Sequence, residues 1–107
     1  AAQDRLTRID CDLASPAAVR ATVADVARTH TRTSVIINNA AVQYAVPLDD
    51  PHFDPARMID EANVNLVAPA LIIQGLLPIL SANPKPAAII NISSGLAYFP
   101  KRRTALY

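Results

Sequence analysis

Charge imbalance is nearly absent from this sequence: ten Lys and Arg stand against nine Asp and Glu, for a net charge of +1 over 107 residues. No long-range field of one sign is available to recruit nucleic acid or an acidic membrane surface, so neither is expected as a partner. Cysteine is scarcer still. The single Cys11 excludes an intrachain disulfide and suits a reducing compartment, and at the end of an expected strand it reads as a small buried apolar side chain. Long apolar runs are also missing. The longest, Leu66 to Leu80, is interrupted by Pro69, Gln74, Gly75 and Pro78 and stops short of the ~20 residues that span a bilayer, which predicts a core helix. The first residues lack the charged-then-apolar pattern of a signal peptide. Internal repeats, linkers and low-complexity segments are absent, and His30 and His52 have no metal-ligand spacing around them, so no metal site is expected.

What is present is an apolar, core-forming composition, 51% hydrophobic, with regular punctuation. Leu6-Thr7-Arg8-Ile9-Asp10 alternates apolar and polar, which predicts a strand near a sheet edge. Ser15-Pro16 predicts a helix start, Ser as N-cap and Pro at the first helical position. Ala18, Val19, Thr22, Val23, Val26 and Ala27 then recur at helical spacing with Arg20, Asp25 and Arg28 outward. Val35-Ile36-Ile37 is apolar at every position, the pattern of a parallel strand covered on both faces. Pro47, Pro51 and Pro55 break the stretch from Asn39 to about Asp54 into a loop. From about Pro55, the residues Met58, Ala62, Leu66, Ala70, Ile73, Leu77 and Leu80 trace a stripe on a long helix that ends near Asn83-Pro84. Ala87 to Ile92 predicts a further strand. Strand, helix, strand, helix, strand in that order predicts an α/β fold with a doubly wound parallel sheet.

The chemistry-bearing residues cluster where such strands end. The apolar run Ala87 to Ile92 leads into Ser93-Ser94-Gly95, and Tyr107 follows Ser94 by thirteen positions. A strand that delivers a serine to its carboxyl end, with a phenol returning from the next element, can hold two hydroxyls on one reactive atom and polarise a carbonyl. Free tyrosine ionises near pH ~10, so acid/base work at neutral pH needs a nearby positive charge or hydrogen bonds that favour phenolate. Asn38-Asn39-Ala40-Ala41 sets two amides and two small residues past the second strand, where they either admit a flat ligand or only close a turn. Asn65 has Pro69 four residues on, and a proline offers its carbonyl no N–H, so that carbonyl needs another partner. The plain alternative is a kink that bends the helix around the core. Asn63 is the competing residue, but Val67, four on, keeps its N–H. Asp12, just past the first strand, reads either as a ligand-facing acid or as a loop acid near a positive helix end.

This spacing, with Asn38-Asn39-Ala40 and Asn63-Val64-Asn65-Leu66 upstream, resembles the classical short-chain dehydrogenase/reductase family. The resemblance implies a Rossmann-like doubly wound parallel sheet, here incomplete, with residues 1–107 supplying the third to fifth strands and the helices between them. It implies NAD or NADP as cofactor, a small-molecule alcohol or carbonyl substrate, a cytoplasmic enzyme and a homo-oligomeric parent. Residue by residue, it implies that Tyr107 exchanges a proton with the substrate oxygen, Ser94 hydrogen-bonds that oxygen and Asn65 holds a relay water. Asp12 would accept from the adenine amino group, and Asn39, Ala40, Ala41 and Tyr107 would lie at the cofactor. The family's Gly-rich nucleotide loop precedes these motifs and its Lys lies four residues after the Tyr, so the resemblance implies an internal segment. Ala41 departs from the glycine of the classical pattern; Ala40-Ala41 is a feature of the extended branch of epimerases and dehydratases, whereas the short Ser94 to Tyr107 spacing favours the classical branch. A non-catalytic, cofactor-binding relative is the remaining class. Lys101, Arg102 and Arg103 precede the tyrosine and read as a solvated rim, with attraction of an acidic substrate group as the lesser reading. Ser93, Tyr44 and Tyr98 read as pocket-lining residues.

Overall fold

The computed structural model describes residues 5–107 and, among them, sets two parallel strands against a helical layer. Ser15 starts the first helix, α1 (Pro16–Thr29). Its Oγ accepts the Ala18 N–H at 3.3 Å, and Pro16 takes the first position, where an N–H would have had no intrahelical partner. Val19 and Val23 are buried on the inner face, and Arg20, Asp25 and Arg28 are outside, as their spacing predicts. Strand β1 (Val35–Asn38) runs parallel to β2 (Ala88–Asn91), with Val35 opposite Ala88 and Asn38 opposite Asn91. A parallel pair needs a long crossover to bring the chain back to the same end. Here that crossover is the continuous helix Pro55–Ala82.

That helix has three parts. Asp54 caps α2 (Pro55–Ala62) by accepting the Ala56 N–H at 2.9 Å. A π-helical turn, Asn63–Val67, follows, in which Ala68 donates to the carbonyl of Asn63, and α3 (Ala68–Ala82) completes the rod. Pro69 accounts for the position of the wide turn: its ring cannot donate and crowds the carbonyl four residues back, so the ladder opens just ahead of it. The core gathers Val19, Val23, Ile36, Ala68, Leu76 and Leu80, with Cys11 and Leu13 half-buried against it. Small residues let α3 approach α1. A Cβ on Gly75 would come within 2.1 Å of Val23 Cγ1, so only glycine fits there without a shift.

Four expectations are corrected. Leu6 to Asp10 is irregular, with Leu6 82% exposed, and no segment among the described residues pairs with it; alternation predicts a face, but a strand also needs a ladder partner. The stripe expected on the long helix is largely its outer face, since Leu66 is 70% and Leu77 48% exposed and of its members Leu80 alone is buried, whereas Glu61, Val64, Ala68 and Leu76 turn inward. From Leu66 on, the helix is apolar nearly all round, and periodicity cannot choose a side; Ala68 and Gly75 choose it by admitting α1. The sheet, expected to be covered on both faces, is covered on one among the described residues: Ile36 is buried while Ile37 and all of β2 are exposed. Finally, the helix Pro55–Ala82 spans 28 residues and is apolar enough for a membrane span by length and composition, although one face of it packs on α1 and the strands.

Candidate active site

β1 and β2 end side by side, and their last residues are tied together. Asn38 Nδ2 donates to Asn91 Oδ1 at 2.8 Å, and the Ile92 N–H reaches the Asn38 carbonyl at 2.9 Å. Beyond these carboxyl ends the chain diverges, and a cleft of about 540 Å³ opens between the two loops and the helix. Ala40 and Ala41 line it after β1, Asn65 and Pro69 from the helix, Ser94 after β2, and Tyr107 from the far side. Of the residues singled out by the sequence, Asn65, Ser94, Tyr107, Ala40 and Ala41 therefore share one cleft. Asp12 and Asn39 are not among its lining residues.

Ser94 caps the 3₁₀ turn Gly95–Ala97, its Oγ accepting the Leu96 N–H at 3.2 Å. A hydroxyl that accepts there still has its own proton to donate. Tyr107 sits in irregular chain, its backbone N–H on the Thr104 carbonyl at 3.3 Å and 36% of its surface exposed. The Asn65 side chain is occupied by the loop after β1. Its Oδ1 accepts the Val42 N–H at 2.9 Å and its Nδ2 donates to the Val42 carbonyl at 2.7 Å, a strand-like clasp made by an amide. Asn63 reaches the other way, donating from Nδ2 to the Ala14 carbonyl at 3.0 Å. Asp12 lies two residues before that anchor, exposed, with Oδ1 on the Ala14 N–H at 3.0 Å and its carbonyl on the Ser15 N–H at 3.2 Å. Through these bonds it closes the turn into α1.

Sequence reading passed over Glu61. It is 3% exposed, and its Oε2 accepts the Tyr44 N–H at 3.0 Å. The available signal was its position four residues before Asn65, which puts both on one helix face. The basic trio sits at the surface: Lys101, Arg102 and Arg103 are exposed, and Arg102 pairs with Asp49, an exposed contact of the kind that contributes about 1 kcal/mol or less. Arg57 lies 5.6 Å from the centre of the Tyr44 ring.

The fold recurs in known proteins. The short chain dehydrogenase family profile matches residues 1–107, and the chain belongs to that family. A metagenomic short-chain oxidoreductase solved with NADP is 35% identical and superposes with a TM-score of 0.79 over 92% of this chain and 43% of its own. A blue fluorescent protein from a metagenomic library, solved with NADPH, is 31% identical with a TM-score of 0.80 over 99% of this chain and 42% of its own. A gluconate 5-dehydrogenase from Burkholderia cenocepacia J2315, solved with NADP and tartrate, is 28% identical with a TM-score of 0.75 over 90% of this chain and 36% of its own. The chain thus spans less than half the length of the structures it resembles. No curated protein matches it by sequence.

Proposed function

We propose that this chain is an internal segment of an NAD(P)-dependent oxidoreductase that interconverts an alcohol and a carbonyl. The observation that carries the reading is the meeting of Ser94 and Tyr107 in one cleft at the carboxyl ends of parallel strands, where open α/β sheets bind their ligands. NADP or NADPH in similar structures supports the cofactor class.

The residues present fit the nicotinamide end of such a cofactor. Ala40 and Ala41 are exposed on the cleft wall and carry nothing beyond Cβ, leaving space for a flat ring. Ala40, Ala41 and Tyr107 would hold that end, with Asn39 beside them and Asp12 serving the adenine end. When bound, the dinucleotide supplies or takes the hydride. The chain's own residues handle the oxygen and the proton. In reduction, the Ser94 hydroxyl donates to the carbonyl oxygen, and the Tyr107 phenol gives that oxygen its proton. A water at the Asn65 carbonyl, to which Pro69 offers no N–H, relays a proton from solvent to the tyrosinate.

The complete protein that carries this sequence tests the reading through oxidation of NADH or NADPH with a panel of ketones and aldehydes. Tyr107→Phe is expected to lower turnover by ~10²–10⁴, the usual worth of a positioned acid/base, with dinucleotide affinity nearly unchanged. Turnover that survives this substitution overturns the assignment.

A further inference from the structure

A buried carboxylate stands behind both walls of the cleft. Glu61 holds the Tyr44 N–H, and one turn on Asn65 holds both backbone groups of Val42. Side chains at 61 and 65 thus tie loop residues 44 and 42, in that order, to the helix at two points. That loop leaves directly from Ala41, which lines the cleft. On its other side Glu61 shares a small pocket with Ala105 and Leu106, and Leu106 lines the cleft beside Tyr107. An apolar side chain would suit this place better on burial grounds alone, because a carboxylate taken out of water must recover its lost hydration through hydrogen bonds.

We propose that Glu61 is a positioning residue: by fixing the Tyr44 N–H it sets the distance between the Ala40–Ala41 wall and Tyr107, and through it the fit of the carbonyl substrate. This rests on the function proposed above for the same cleft, so its test has an arm that needs no turnover. Hydrogen exchange of the Tyr44 amide is measured in the complete protein and in Glu61→Gln, which keeps an acceptor, and Glu61→Leu, which fills the space without one. The amide is expected to be protected in the parent and in Glu61→Gln and to exchange at least tenfold faster in Glu61→Leu. In steady-state kinetics Glu61→Leu is expected to raise KM for the carbonyl about tenfold, and Glu61→Gln to restore it. Rapid exchange of Tyr44 in the parent protein overturns the proposal without any variant having to fold. So does a Glu61→Leu protein in which KM for the carbonyl is unchanged. If no carbonyl is reduced at all, the functional reading falls, while the exchange arm still decides whether Glu61 holds the loop.

Discussion

Ser94 carries two duties that can be separated. Its Oγ caps the Leu96 N–H of an exposed 3₁₀ turn, and loss of a cap costs about 0.5–2 kcal/mol even on a full helix. If the hydroxyl also donates to the substrate oxygen, its removal costs far more in rate than in stability, since a preorganised donor to a developing oxyanion is worth about 10²–10³ in turnover. Ser94→Ala is therefore expected to shift the melting temperature by only a few degrees while turnover falls about a hundredfold, and Ser94→Thr to keep most of both. Thermal melting and steady-state kinetics on the same preparations check it. At this scale the sequence was legible where a side chain's neighbours are local: Ser15 as a cap and Ser94 at a strand end both follow from adjacent residues. It was illegible where the partner is distant. Asn65 clasps Val42 and Asn38 bonds Asn91 across sequence separations of 23 and 53 residues, which no local pattern encodes.

Elements show the same division. The helix α1 was readable because its cap, its proline and its apolar face agree. The inward side of the long helix was not, because size rather than polarity selects it. Gly75 tests that argument. Alanine is the better helix former by about 1 kcal/mol, yet its methyl would collide with Val23 Cγ1 at 2.1 Å, and overpacking a tight contact costs about 1–3 kcal/mol. Gly75→Ala is expected to destabilise on balance, and Val23→Ala beside it to recover part of the loss, as coupled neighbours do; denaturant unfolding of the single and double variants measures this. Pro69 tests the wide turn. Pro69→Ala returns an N–H to the ladder and relieves a residue that ordinarily costs ~3 kcal/mol inside a helix, so the protein should melt higher. Turnover should fall with cofactor affinity held, if the Asn65 carbonyl serves a relay water; turnover that stays level across a straightened helix removes that role.

The molecule as a whole is more open than its length predicts. A compact domain of 107 residues has a radius of gyration near 13 Å, and this chain has 16.4 Å, with extents of 51 × 30 × 28 Å. Its accessible surface is 7954 Å², against about 5,800 Å² for a folded monomer of this mass. The excess is partly apolar: Ile37 and Ile92 are 59% and 58% exposed at the sheet, and Leu66 is 70% exposed on the helix. Among the described residues the sheet also presents two unpaired edges, one on β1 and one on β2, since each strand has a single neighbour there. Apolar edges of this kind template pairing with other chains, and apolar patches of several side chains favour association. Residues 1–107 prepared alone are therefore expected to self-associate and to melt over a broad, poorly cooperative range. They are also expected to bind NAD(H) and NADP(H) weakly, because no glycine-rich turn before a helix N-terminus is available among the described residues to receive a pyrophosphate. Sedimentation across a concentration series, a thermal melt with reheating and calorimetric titration of each dinucleotide measure all three. A monomer with a sharp, reversible melt would show that the two strands and one helical layer suffice as a folding unit, and micromolar dinucleotide affinity from the same preparation would show that the cleft holds the cofactor without the pyrophosphate loop.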